Sequence, residues 1–498
     1  MEKKYILVLD EGTTGLRSIV MDREFIIVAQ SYAKIDTKHP GPYDVEQDAN
    51  EIYEKQVKTM REAVKEAGIE AEEIAAVGIS VQRGTFTYWN KVTGEPLYPF
   101  LVWLDTRGVR STAKFLADKE FCEKYPAVVG LLKVYGGSQF SRNRTLLDEN
   151  PELAEAIKNP DVIYGGIDAW LIYKLTGGKV FAASLSHTGT LPIYDKINCD
   201  YLYEPLEYVG IRREMLPEVR DDSGFFGNLD PSILGVEIPI VSCVADQQAA
   251  LFSEGCLEPG TVKCTMGTGS FMDINLGDSF YLVPGMSTHL AWRIGEDKKY
   301  MAEGVVVTCG ACLEWAKNNL GIIDDFSTME AVASSVPDNG GVYFVPALNG
   351  MAGLPFRSDG GRASFMGISA GTVKAHFVRA VLESLAFSTA HVFNNVMASN
   401  EGLEINTINL DGGVSRSPIV CQLLADLTGA KVVRQKAPEA SALGAAEMAA
   451  IGIGWMTKED VVKRITIDRE YAPAEDTTKV KEEYAYWVKA AERSKNWL

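Results

Sequence analysis

Histidine is scarce in this chain of 498 residues: there are five, His39, His187, His289, His376 and His391, and none forms an HxxxH pair or clusters with cysteine. That removes the usual zinc patterns, whose ligands recur at short fixed intervals. No run approaches the roughly 18 apolar residues of a membrane-spanning helix. The apolar stretch behind Met1-Glu-Lys-Lys4 is too short for a secretory leader. Positive charge is in deficit as well: 49 Lys and Arg stand against 67 Asp and Glu, a net charge of −18. Such a chain repels a phosphate backbone at long range, so nucleic acid is not an expected partner. Any phosphate it binds has to be held locally, by backbone amides, a metal ion and a few cations. Low-complexity segments are missing. With 46% hydrophobic and 23% charged residues, the composition excludes a wholly disordered, collagen-like or coiled-coil chain. The expectation is a cytoplasmic protein that does not cross a membrane.

Cysteine is present but dispersed: the eight (Cys122, Cys199, Cys243, Cys256, Cys264, Cys309, Cys312 and Cys421) lie in apolar surroundings rather than in a disulfide framework. Cys309-Gly-Ala-Cys312 spells CxxC, yet no second pair completes a four-ligand site, so small buried packing residues are expected. Three nucleotide or nucleophile signatures are also absent. No Gly-x-Gly-x-x-Gly follows a strand, no Gly-x-Ser-x-Gly occurs, and Gly177-Gly-Lys179 runs into Val180 rather than Ser or Thr.

What is there reads as strand–helix–strand. Tyr5–Leu9 is a continuous apolar run of buried-strand type, followed by Asp10-Glu-Gly-Thr-Thr14 and two further strands at Arg17–Met21 and Phe25–Ala29. Asp48 is placed to cap a helix that Gly68 stops, and Ala75–Val81 is the next strand. The class is therefore α/β. A similar layout recurs later, where Ile238–Ala245 ends in Asp246 and Thr261–Met266 leads through Gly267-Thr-Gly269 into Met272–Asn275. The repeat implies two similar domains, residues 1–250 and 251–498, within the two or three that this length allows. Strands at Val342–Ala347 and Ile405–Leu410, helices at Ala380–Ala386 and Ala442–Ala450, and a charged helical tail after about 455 complete the second half.

Three turns at strand ends are suited to phosphate or nucleotide. In Asp10-Glu-Gly-Thr-Thr14, Gly12 is expected to take a positive φ while Thr13 and Thr14 add hydroxyls beside exposed N–H groups. Asp10 is placed to hold Mg²⁺ through water, with Arg17 as a compensating cation. Gly267-Thr-Gly269 is the second turn and Leu410-Asp-Gly-Gly413 the third. Asp246, at a strand-to-helix junction, suits a base that takes a proton from an attacking hydroxyl during phosphoryl transfer. An Asp there equally suits a helix cap, and that alternative stays open. Trp103 and Tyr135 are candidates for an apolar wall around a small ligand, or plain core.

Together these residues resemble the FGGY carbohydrate kinases nearly end to end. The likeness runs through Leu9–Thr14 with Arg17, Val102–Arg107, Gly166–Gly178, Ala245–Phe252, Met266–Met272, Gly341–Ala347, Ala363–Ile368 with His376 and Glu383, and Leu410–Gly413. It implies two actin- or hexokinase-like (ribonuclease H-like) ATPase domains with an active-site cleft, and ATP-dependent phosphorylation of a small polyol or sugar hydroxyl. Glycerol to glycerol 3-phosphate is the first reaction to expect, a larger polyol or ketopentose the second, and a non-enzymatic ATPase switch the reading from another class. It further implies ATP and Mg²⁺, a small-molecule partner, and a homodimer or homotetramer.

By position, Asp246 is the implied general base, with Asp10 and Asp246 nearest the metal. Thr13, Thr14, Arg17, Gly267, Thr268, Gly310, Glu314, Gly413 and Ser417 correspond to nucleotide contacts. Arg83, Trp103, Tyr135, Asp246, Gln247 and Phe271 correspond to the acceptor pocket. The chain departs from members acting on glycerol in reading Arg83-Gly84 where those carry Arg-Glu. Leu104, Glu314 and Ser417 replace two glutamines and an Asn. The Lys- and Trp-bearing signature after Tyr135 is replaced by Gly136-Gly-Ser-Gln-Phe-Ser-Arg-Asn143.

Overall fold

A computed structural model describes residues 2–134, 138–348, 361–400, 402–436 and 439–497. Tyr135 lies outside the described residues. The chain divides into two compact units. The first comprises Met1–Ser253, His289–Lys299 and Glu439–Val461; the second comprises Glu254–Thr288, Tyr300–Pro438 and Val462–Leu498.

The first unit is built on a five-stranded sheet in the order Ile240–Ala245, Ile74–Val81, Tyr5–Glu11, Gly15–Met21, Ile27–Lys34. The first three strands are parallel, which suits runs buried on both faces, and Ile6 to Leu9 are fully buried. The last two form an antiparallel meander that sets Asp10 directly opposite Arg17. The helix Ala49–Ala67 begins and ends as its sequence requires. Asp48 accepts from the N–H groups of Asn50 and Glu51, and Gly68 closes the last turn at φ 66°.

One short helix, Asp246–Ser253, starts immediately at the end of the outer strand Ile240–Ala245. The helix Ala440–Gly452 packs against it so tightly that a Cβ on Gly444 would stand 2.0 Å from the Ala249 carbonyl oxygen. Only glycine fits there. A second layer of the unit packs Phe86, Tyr88, Phe115, Phe121, Phe140 and neighbours into a separate aromatic-rich core.

The second unit is centred on strands that follow one another in the order Asp297–Val306 (from Tyr300 on), Ser270–Gly277, Val262–Met266, Thr407–Asp411, Lys431–Gln435, Ile467–Tyr471. Val262–Met266 pairs antiparallel with Ser270–Gly277 and parallel with Thr407–Asp411, so the second and third turns leave the same edge of adjacent strands. Lys263 lies opposite Asp273 and binds it at 2.8 Å with both side chains fully buried. The strand Ile467–Tyr471 is the element missed in the tail, which was read as helical throughout. It pairs with Lys431–Gln435 as the sheet's outer strand. Four of its five residues are exposed, so it carries no apolar run to betray it.

Candidate active site

The first turn is held by side chains rather than by an unusual backbone. Gly12 does not adopt the positive φ expected of it. Its N–H donates to the Gly15 carbonyl at 3.1 Å, and a Cβ would approach that oxygen to 3.3 Å, so glycine is needed for a close approach. The Arg17 guanidinium donates twice to Oδ2 of Asp10, at 2.7 and 3.2 Å, and also pairs with Glu439 at 2.5 Å. Both Asp10 contacts fall on one oxygen. Thr13 is fixed from three directions. Its hydroxyl donates to Gln82 Oε1 at 3.3 Å and accepts from the Trp103 indole at 2.8 Å, while its carbonyl accepts from Gln47 Nε2 at 2.7 Å. Thr14 is exposed. Beneath the turn, Glu11 is fully buried, and burial pushes its carboxyl well above the usual range; the negative charges of Asp10 and Asp246 act in the same direction.

Asp246 stands at the strand-to-helix junction. Its Oδ1 accepts from the Gln247 N–H at 2.7 Å and faces Arg83 Nε at 3.5 Å. The strand end that carries it is fixed from behind. Ser186 Oγ accepts from the Ala245 N–H at 2.9 Å, and the Ser186 N–H in turn donates to the buried Asp222 at 2.9 Å. Arg83 leads into Gly84, which has φ 67° and no side chain. Trp103 is 43% exposed, and its N–H donates to Thr85 Oγ1 at 3.3 Å. Asp246, Arg83, Trp103, Gln247, Asp10, Thr13, Thr14 and Arg17 thus all belong to the first unit.

In the second unit, backbone approach draws three segments together. The Gly310 N–H donates to the Gly267 carbonyl at 2.8 Å, and the Cys309 and Ala311 N–H groups both donate to the Thr268 carbonyl. A Cβ on Gly310 would lie 2.5 Å from the Gly267 oxygen, and one on Gly412 (φ 84°) 2.5 Å from the Met266 oxygen. Gly267 and Gly413 face open space. The result is a bare-backbone cradle at the start of the helix Gly310–Asn318, a setting suited to phosphate oxygens. Thr268 is exposed beside it, and Phe271 lies on the strand that follows. Glu314 is exposed and accepts from Asn318 at 3.0 Å. Ser417 is committed elsewhere: its hydroxyl donates to Glu330 at 2.7 Å and caps the helix Pro418–Thr428.

All eight cysteines are free thiols, and burial pushes Cys309 well up and Cys312 up to about 12, which leaves both as packing residues. Among the described residues no group of three or more His, Cys, Asp or Glu is arranged to hold a metal ion. None of their helices is long and apolar enough to cross a membrane.

One residue of the site escaped the sequence reading. Arg142, on the helix Gln139–Glu149, is 3% exposed, and its guanidinium donates to the main-chain carbonyls of Val102 and Gly84, beside Trp103 and Arg83. Burial lowers its pKa to about 10, so it remains charged at neutral pH. An alternation-and-motif reading has no means to find it, because its partners are backbone atoms distant in sequence.

One α/β unit carries a carboxylate at a strand-to-helix junction and the other a bare-glycine cradle, and each is a feature of nucleotide-dependent phosphotransferases. The chain belongs to the FGGY family of carbohydrate kinases: its N-terminal domain matches residues 5–253 and its C-terminal domain residues 262–453. It is 36% identical over 511 residues to glycerol kinase 2 of Thermotoga maritima, covering 99% of each chain. A glycerol kinase of Carboxydothermus hydrogenoformans is 36% identical over 502 residues, covering 100% of this chain and 99% of the other. Among solved structures, a Plasmodium falciparum glycerol kinase with ADP superposes with a TM-score of 0.89 at 27% identity, covering 99% of each chain. A xylulose kinase from Lactobacillus acidophilus shares the fold, with a TM-score of 0.85 at 18% identity and 98% of each chain covered. The protein is a sugar or polyol kinase that uses ATP.

Proposed function

We propose that this kinase transfers the γ-phosphoryl group of ATP to a hydroxyl of a small polyol, with glycerol, giving glycerol 3-phosphate, as the first acceptor to consider. The observation that carries the reading is Asp246. It sits at the junction of a buried strand and a helix with Arg83 at 3.5 Å, in a chain that matches glycerol kinases over its whole length. Asp246 takes the proton of the attacking hydroxyl as its oxygen bonds to phosphorus; the bond from the γ-phosphorus to the β-bridging oxygen breaks and ADP leaves. Arg83, Gln247 and Trp103 hold the acceptor, a part the family resemblance also gives to Phe271 and to Tyr135, the latter outside the described residues. Thr13, Thr14, Arg17, Gly267, Thr268, Gly310, Glu314 and Gly413 hold the nucleotide, and Ser417 acts through the helix it caps.

Mg²⁺ fits this donor set in one way. Asp10 keeps an oxygen outside its Arg17 contacts, and with Asp246 it supplies two carboxylates, the number Mg²⁺ ordinarily takes alongside substrate phosphates and water. Bound there, the ion neutralises charge on the phosphates being cleaved. Eight free thiols support a reducing, cytoplasmic setting.

A second acceptor class has its own support: Gly84 contributes no side-chain acceptor for a glycerol hydroxyl, which favours a four- or five-carbon polyol or a ketopentose with hydroxyls to place elsewhere. A panel of glycerol, erythritol, xylitol, ribulose and xylulose, assayed with ATP·Mg²⁺ for ADP release, tests both. Release that no acceptor stimulates would refute the proposal.

A further inference from the structure

We infer that Arg142 is the positioning residue of the acceptor end of this site, the clamp that sets Arg83 and Trp103; the inference rests on the kinase reading above. Arg142 Nη2 donates to the Gly84 carbonyl at 2.7 Å, and Nη1 donates to the carbonyls of Val102 at 2.6 Å and Leu101 at 3.4 Å. Those carbonyls belong to the two segments that carry Arg83 and Trp103. One cation therefore joins both walls of the acceptor end.

The cation is placed at a cost. It is 3% exposed, and its Nε has no partner. A guanidinium buried among carbonyls, where an apolar side chain would pack, is weak evidence for stability and better evidence for geometry. Its surroundings are built around it. Its guanidinium carbon lies 5.4 Å from the Phe86 ring centroid, and a Cβ on Gly108 would stand 2.8 Å from the Arg142 amide nitrogen. Next along the helix, Asn143 donates to the Val209 carbonyl at 2.9 Å, fixing the helix in the aromatic core.

From the clamp, hydrogen bonds run toward the phosphate turn. The Trp103 N–H donates to Thr85 Oγ1 at 3.3 Å, Thr85 Oγ1 donates to Gln82 Oε1 at 3.2 Å, and that same oxygen accepts from Thr13 at 3.3 Å. Thr85 and Gln82 are buried, so the middle of this path is shielded from water.

The test uses the full-length protein with Arg142→Met, Arg142→Lys and, as a milder lesion of the same path, Thr85→Val. Steady-state kinetics with glycerol and erythritol are read together with ATP·Mg²⁺ affinity and amide hydrogen exchange. Arg142→Met is expected to raise the acceptor KM at least tenfold. Its kcat should stay within about threefold of wild type and nucleotide affinity within about twofold, with faster exchange confined to residues 83–88 and 100–105. Arg142→Lys should recover much of the KM, and Thr85→Val should show the same signature at a few-fold. An unchanged acceptor KM overturns the inference. So does a parallel fall in kcat, acceptor binding and nucleotide binding with exchange rising throughout the unit, which marks an ordinary core residue. A wild-type enzyme that phosphorylates none of the polyols and sugars in the panel removes the kinase reading and this role with it; an active wild type with an unmoved KM removes the role alone.

Discussion

The indole N–H of Trp103 donates to the hydroxyl of Thr13 at 2.8 Å, across 90 residues of sequence. The bond joins the turn after the strand Tyr5–Glu11 to the turn after Phe100–Leu101. Trp103→Phe keeps a ring on the acceptor wall and deletes only the donor. It should weaken ATP·Mg²⁺ binding roughly 2- to 10-fold, the effect of losing one hydrogen bond of about 0.5–1.5 kcal/mol. Calorimetric titration measures it, and unchanged nucleotide affinity would show the bond to be incidental.

Asp246→Asn preserves shape and removes the proton acceptor. Turnover should fall by about 10²- to 10⁴-fold, the usual contribution of a general base. Thermal stability and nucleotide binding should stay near wild type. Near-normal turnover in the purified variant would return Asp246 to the part of a helix-terminal residue.

Asp10→Ala should blunt the dependence of nucleotide binding on Mg²⁺ far more than it affects acceptor binding without nucleotide. It also strips Arg17 of one of its two carboxylate partners, leaving Glu439. Titrating Mg²⁺ against the variant at fixed ATP reads the effect; a Mg²⁺ response equal to wild type argues against Asp10 as a donor.

Gly84 decides how well glycerol is served. A buried substrate hydroxyl left unpaired costs about 1–3 kcal/mol, so glycerol should be weakened roughly 5- to 150-fold relative to a site that supplies an acceptor. Gly84→Glu should shift the ratio of specificities toward glycerol. It should also lower stability by about 1–2 kcal/mol, because φ is 67° there. Strong glycerol preference in the wild type, unmoved by Gly84→Glu, would overturn the pocket argument.

Burial raises the Asp222 carboxyl from its ordinary value to about 7, against the hydrogen bonds it accepts from the Ser186 and Arg293 N–H groups. The folded state thus holds a proton that the unfolded chain releases near pH 4. Stability from this group is full below that pH and is lost as pH rises toward 7, levelling off above it. The span is on the order of a few kcal/mol. Urea midpoints between pH 4 and 8 should fall for wild type and stay flatter for Asp222→Asn; parallel curves would sink the assignment. The same carboxyl braces the strand that ends at Asp246, so turnover should be pH-sensitive over this range too.

Much of the scaffold was legible because it is written locally. The helix Ala49–Ala67 declares itself through Asp48 and Gly68, and the strand Tyr5–Glu11 through an unbroken apolar run. The junction at Asp246 follows from a strand signal abutting a helix signal. Gly267 and Gly413 likewise mark turns at strand ends. What a local pattern does not encode is which distant segment closes on which. Residues 289–299 and 439–461 belong to the first unit, and nothing in their composition says so. A glycine at position 12 suggests a positive φ; its requirement is instead the 3.3 Å approach to Gly15, a contact that exists only in the folded turn. Ser417 donates its hydroxyl to Glu330, 87 residues away, a partner that no local pattern announces. Arg142 is the extreme case, since it binds carbonyl oxygens, which every residue possesses, and so leaves no signature in its partners. By itself the sequence determined the elements, their caps and the groups able to do chemistry, since these depend on neighbours a few residues away. The tertiary structure alone decided which of those groups are held, shielded or spent, because burial and hydrogen-bond geometry arise only when segments far apart in the chain pack together.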